Sequence, residues 1–149
     1  MNFVKALGLF PLLGTFWGAI PSASAAGEVV TVYKSPLCGC CASWADHLRR
    51  NGFEVEIRNT EALSTIKMRL GVPADMQSCH TATAGDYVIE GHVPAADIER
   101  LLGSSFSARG LAVPGMPLGS PGMEQGGRNM PYTVFAFAAD GKRSAFSYH

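Results

Sequence analysis

The stretch Val29-Val30-Thr31-Val32-Tyr33-Lys34-Ser35-Pro36-Leu37-Cys38-Gly39-Cys40-Cys41 decides how this chain is read. Val29–Tyr33 is short and rich in β-branched residues, the pattern of a buried strand. Lys34-Ser35-Pro36 ends it. A helix then starts inside the cysteine cluster, because Cys41, Trp44, Ala45 and Leu48 recur at i, i+3, i+4 and i+7 and share one face. Asn51-Gly52 closes that helix, with Gly placed as its cap. Cys38 and Cys41 therefore form a C-x-x-C pair at a helix N-terminus. Free backbone N–H groups there stabilise a thiolate and prepare it for exchange or for metal binding.

Working outward, Phe53–Ile57 alternates and predicts a second strand. Glu61–Leu70 predicts a second helix through Leu63, Ile66 and Leu70, stopped by Gly71 and Pro73. Cys79–Ala84 and Tyr87–His92 read as two strands joined by a tight turn at Gly85-Asp86. Pro94 suits the first turn of a third helix whose apolar face is Ala95, Ile98, Leu101 and Leu102. Gly103–Met130 holds seven Gly, three Pro and three Met with little periodicity, and reads as one long loop. Tyr132–Ala138 and Arg143–Tyr148, around Asp140-Gly141, read as a closing hairpin. The predicted class is α/β: a thioredoxin-like β-α-β-α-β-β-α domain with a long Gly/Pro/Met-rich loop and a C-terminal β-hairpin. A strand–C-x-x-C–helix arrangement inside a βαβ unit is the local signature of that fold.

The N-terminus is of another kind. From Ala6 to Gly27 there is no charge; Lys5 precedes an apolar run to Ile20, and Ala23-Ser24-Ala25 forms an A-x-A site. Residues 1–25 are therefore expected to be a cleaved export signal, leaving a domain over 27–149 in the periplasm. The apolar run is short for a membrane span and is broken by Gly8, Pro11, Gly14 and Gly18, so no stable span is expected after cleavage. The 149 residues carry 12 Lys+Arg against 12 Asp+Glu, which argues against a nucleic-acid partner. With 47% apolar and only 16% charged residues, a disordered polyelectrolyte is excluded.

An exported chain with four Cys could form two disulfides, and Cys38–Cys41 with Cys40–Cys79 is one pairing left open. Three of the four fall within four positions, however, where they close no useful loop. In a thioredoxin-like fold the loop before the third strand, Gln77-Ser78-Cys79-His80-Thr81, faces the C-x-x-C pair. It brings a fourth sulfur where a plain oxidoreductase would place a cis-proline. Met130-Pro131-Tyr132-Thr133 offers a competing register for that facing loop. Four sulfurs with nearby His and Met suit soft ions, above all Cu(I). Zinc accepts four thiolates, or three with an imidazole, but rarely neighbouring cysteines. Cys40 and Cys41 diverge by roughly 100° on a helix, a splay that bridging several Cu(I) ions would use.

Other candidates rest on weaker grounds. His92, in Glu90-Gly91-His92-Val93-Pro94, ends a strand just before a helix. His80 adjoins Cys79 but would point to the opposite face of a strand. His47 lies two turns, roughly 10 Å, from Cys40 and reads as a helix-flank residue. Met116 and Met123 fall in Gly/Pro-rich loops, where methionine serves either as a soft ligand or as apolar cover. Met68 and Met76 read as packing.

Taken together, Tyr33-Lys34-Ser35-Pro36, Cys38-Gly39-Cys40-Cys41, Ser78-Cys79-His80-Thr81, Glu90-Gly91-His92-Val93-Pro94, Leu111-Ala112-Val113-Pro114-Gly115-Met116-Pro117 and Gly119-Ser120-Pro121-Gly122-Met123-Glu124 resemble the CopG-like family of exported copper-resistance proteins. The resemblance runs in order over nearly the whole chain after the signal. It implies a thioredoxin-like domain whose redox site holds a thiolate-bridged copper cluster, with a role in periplasmic copper tolerance and in interconverting Cu(I) and Cu(II). It carries to Cys38, Cys40, Cys41 and Cys79 as thiolate ligands of more than one Cu(I), with His92 and Met116 as weaker ligands. Other periplasmic copper-handling proteins are the implied partners. Catalysis, as a copper oxidoreductase, is not established by the resemblance. The alternative function is a periplasmic thiol–disulfide oxidoreductase using Cys38 and Cys41, and a passive zinc or structural domain is a third reading.

Overall fold

The computed structural model describes residues 27–149, so the expected signal peptide over residues 1–25 lies outside the described residues. Strand β1 (Val29–Lys34) buries Val30 and Val32 on one face. Helix α1 (Gly39–Arg50) follows after a four-residue turn and buries Cys41, Trp44, Ala45 and Leu48, the stripe expected from their spacing. Strand β2 (Glu54–Asn59) pairs parallel with β1, with α1 as the crossover that a parallel pair requires. Helix α2 (Leu63–Leu70) starts two residues later than the apolar pattern suggests and ends at Gly71 in a left-handed conformation.

Strands β3 (His80–Ala84) and β4 (Tyr87–Glu90) form the expected hairpin, with β3 antiparallel to β1. Helix α3 (Ala95–Leu102) then buries Ala95, Ile98 and Leu101. The order β-α-β-α-β-β-α is therefore found as expected.

The long loop is not uniformly irregular. Gly110–Ala112 forms strand β5, parallel to β4 and antiparallel to β6 (Thr133–Phe137), which pairs with β7 (Arg143–Tyr148). The seven-stranded sheet runs β2-β1-β3-β4-β5-β6-β7. A three-residue strand gives no periodicity to read, and it exists only because β4 and β6 offer edges on both sides of it. The closing hairpin thereby joins the main sheet through β5.

The two faces of the sheet are covered by different helices. Trp44 and Leu48 of α1 and Ile98 and Leu101 of α3 pack with Val30, Val32, Ala82, Ala84, Ile89, Leu111 and Val134 in the main core. Val72, Met76, Val88, Ala112 and Phe137 form a smaller core on the α2 side. Within α2 the residue buried most deeply is not one of the three expected apolar residues but Lys67, at 5% exposure. Leu63, Ile66 and Leu70 are half-buried.

Candidate metal centre

The site lies where the N-terminus of α1 meets the turn leading into β3. Cys38 occupies the N-cap of α1, and Cys40 and Cys41 lie in its first turn. Cys79 sits in a bend one residue before β3 begins. The four sulfurs lie within 4.8 Å of one another. Cys40 Sγ is 3.5 Å from Cys38 Sγ and 3.9 Å from Cys79 Sγ. Cys38 and Cys41 are joined as a disulfide, whereas Cys40 and Cys79 are free. Of the two-disulfide pairing left open by the sequence, one half is present. The competing register is overturned: β6, which follows Met130-Pro131, is separated from β1 by β3, β4 and β5. Met130 itself is half exposed.

Two imidazoles extend the cluster. His92 Nε2 lies 3.0 Å from Cys79 Sγ, and His92 Nδ1 is 2.8 Å from the Pro121 carbonyl. A carbonyl only accepts, so Nδ1 carries the proton and Nε2 turns its lone pair toward the sulfur. Burial keeps the His92 pKa below the ordinary imidazole value, against the opposing pull of the Pro121 carbonyl. Burial likewise pushes the Cys79 thiol up to about 12, helped by the neighbouring Cys40 sulfur. The protonated Cys79 thiol therefore donates to His92.

His80 corrects the expectation that it would face away from Cys79. Strand alternation does not apply across the bend, and His80 Nδ1 lies 3.3 Å from Cys79 Sγ. The ring is fully buried, with its centroid 4.4 Å from Trp44 and 4.9 Å from His92. Burial holds its pKa well below the usual value, with His92 and Lys67 adding to the effect. His80 Nε2 has no hydrogen-bond partner among the described residues. An orphaned buried nitrogen costs on the order of 1–3 kcal/mol, and this one belongs to a ring whose other nitrogen faces the Cys79 sulfur.

The remaining candidates separate. His47 is a structural residue: its Nε2 accepts the Ala95 N–H at 3.1 Å and caps α3. Met116 is 52% exposed, beside Gly115, whose carbonyl accepts the Ser78 hydroxyl at 2.5 Å. It is thereby tethered to the Cys79 turn. The Pro121-Gly122 segment lies over α1: a Cβ at Gly122 would stand 2.7 Å from the Cys40 carbonyl oxygen and 2.8 Å from Trp44 N. Sequence reasoning missed this strap, the His80 orientation, and the Lys67–Glu90 pair beneath the Cys79 turn. For Lys67 a signal was present, since it falls four residues after Leu63 on the inner stripe of α2.

The donor set is sulfur and neutral imidazole, with no carboxylate in either ligand group. That composition fits a soft or borderline transition metal and excludes a hard-cation site for calcium or magnesium. Fold and site together define an α/β domain with a sulfur-rich, metal-competent centre at a helix N-terminus. Residues 76–123 match a family described as "Protein of unknown function, DUF411". Two solved structures, named copper resistance protein CopG, form 1 and form 2, each share 43% identity, covering 83% of this chain and 98% of theirs at a TM-score of 0.79. No curated protein matches. The chain belongs to the CopG family of copper resistance proteins.

Proposed function

We propose that this is a periplasmic copper-binding protein of copper resistance, in which Cys38, Cys40, Cys41 and Cys79 hold more than one Cu(I) through bridging thiolates. His92 and Met116 complete the ligand set. The observation that carries this reading is the approach of all four sulfurs to within 4.8 Å, with His92 Nε2 beside Cys79. A dithiol enzyme needs neither Cys40 nor Cys79. Neighbouring cysteines that diverge on a helix suit ions bridged by shared thiolates. Soft thiolates favour Cu(I) while imidazole also serves Cu(II), which supports interconversion of the two states. The β2-β1-β3-β4 strand order with flanking helices supports a thioredoxin-like origin for the scaffold.

The protein's own residues prepare the site. Reduction of the Cys38–Cys41 disulfide by two electrons and two protons yields the two thiols that the cluster needs. The helix N-terminus stabilises them as thiolates, and His92 Nε2 presents its lone pair beside the Cys79 sulfur. Export is supported by the charge-free N-terminal run, and no helix among the described residues is long and apolar enough to cross a membrane.

The test is metal analysis of protein isolated from the periplasm, with anaerobic Cu(I) titration of the reduced chain. More than one Cu(I) per chain is expected, and Cys79→Ser should lower that number as severely as Cys38→Ser. Zinc in place of copper, or full loading of Cys79→Ser, would overturn the reading. The disulfide gives the oxidoreductase reading its one specific support. Strong insulin-reductase activity that survives Cys40→Ala, with copper tolerance also intact, would favour it.

A further inference from the structure

Beneath the Cys79 turn, on the α2 face of the sheet, lies a buried ion pair that the copper site does not itself use. Glu90 is fully buried and Lys67 is 5% exposed. Lys67 Nζ donates to Glu90 Oε1 at 2.5 Å and to Thr81 Oγ1 at 2.8 Å, and Thr81 Oγ1 donates to Glu90 Oε2 at 2.6 Å. The carboxylate accepts one backbone donor as well: the N–H of Ser78, at 2.6 Å.

A buried ion pair is a poor way to gain stability, since well-packed apolar side chains of similar volume do as well or better. What an apolar pair could not do is accept the Ser78 N–H. That bond is charge-assisted and short, and it pins the residue immediately before Cys79. The same turn is closed from above. Gly91 has φ +71°, and a Cβ there would stand 2.6 Å from both Ser78 Cβ and the Val113 carbonyl oxygen. Glu90 thus holds the Cys79 turn through its side chain, while its backbone leads within two residues to His92. The sulfur and the imidazole that meet at 3.0 Å are referred to one residue.

We propose that Glu90, with Lys67 as its counter-ion, is the positioning residue that sets Cys79 in the metal centre through the Ser78 N–H. This rests on the copper reading only for its affinity readout, so the experiment includes a readout that needs no metal. In the metal-free oxidised chain Cys40 and Cys79 are the free thiols, and their alkylation by iodoacetamide can be followed separately by mass spectrometry. Lys67→Met/Glu90→Leu removes both charges and the acceptor, and Lys67→Met/Glu90→Gln removes the charges but leaves an amide oxygen for Ser78.

In the Leu variant Cys79 should alkylate at least fivefold faster while Cys40 stays within twofold, and the Gln variant should return to within twofold of wild type. Cu(I) affinity, read against a chromophoric chelator, should fall about 10–100-fold in the Leu variant, the usual cost of losing a supporting partner of a metal ligand. In a Cys79→Ser background the same substitutions should change affinity less than twofold, because the effect passes through that sulfur. An unchanged Cys79 alkylation rate in a folded Leu variant, or equal affinity losses in both backgrounds, would overturn the assignment. If wild type itself takes up no Cu(I), the copper reading fails and alkylation alone decides this one. Should the Leu variant not fold, hydrogen exchange of wild type decides: the Ser78 amide is expected to be at least 100-fold protected, and exchange at the free-peptide rate would overturn the proposal.

Discussion

His92 turns Nε2 to within 3.0 Å of Cys79 Sγ because its other nitrogen is tied to the Pro121 carbonyl at 2.8 Å. The ring is oriented from one side by the loop and presented to the sulfur on the other. Such partners fix both the tautomer and the direction of a metal-binding imidazole. His92→Ala should therefore weaken Cu(I) binding by about 10–100-fold, a range typical of lost support in metal sites. Competition titration of the reduced chain checks this, and an unchanged affinity would remove His92 from the ligand set.

The sulfur inventory gives a second prediction. Metal-free oxidised protein, denatured in guanidinium, should release two thiols to Ellman's reagent, those of Cys40 and Cys79, and four after reduction. The oxidised form should lose most of its Cu(I) capacity, because two of the four ligands are tied to each other. Copper loading of the oxidised form equal to the reduced form would count against the four-sulfur cluster.

Gly122 tests the strap over α1. Its φ of +84° disfavours any other residue, and an added Cβ would meet the Cys40 carbonyl and Trp44 N below 3.0 Å. Gly122→Ala should destabilise the fold by about 1–3 kcal/mol, as expected for a side chain forced into this backbone region. Urea unfolding measures it. Copper affinity should fall in parallel, because the same strap carries Pro121 and so orients His92.

His47 supplies a pH dependence. Its neutral Nε2 accepts the Ala95 N–H, and burial, with Arg50 nearby, lowers its pKa below 6.5. The unfolded chain then binds this proton first as pH falls. The stabilisation is complete above about pH 6.5 and is lost as pH drops through the lowered folded value. His47→Ala should cost about 1 kcal/mol near pH 7.5, the usual worth of a helix cap. The gap from wild type should shrink toward pH 5. A gap that grows on acidification would contradict the assignment.

Most of the fold was legible because it is built from local signals. Cys41, Trp44, Ala45 and Leu48 mark the buried face of α1 by spacing alone, and Gly52 and Gly71 mark helix ends by backbone freedom. The C-x-x-C pair at the head of α1 and the facing Cys79 followed from the order of strands and helices, as did the hairpins β3-β4 and β6-β7.

The rest depended on partners distant in the chain. Gly110–Ala112 became a strand because two strand edges flank it, a fact about β4 and β6 rather than about those three residues. Lys67 falls on the inner stripe of α2 by spacing, but its charge is held in the interior by Glu90, 23 residues onward, which meets it across the sheet face. His80 faces the sulfurs because a bend at Cys79 breaks the alternation that its sequence position implied. Periodicity and caps act within a few residues, so sequence alone determined the three helices and six of the seven strands and brought three of the four sulfurs together. Which imidazole meets which sulfur, and which carboxylate holds the turn, was decided by tertiary packing, where each group takes the buried partner that offsets its own desolvation.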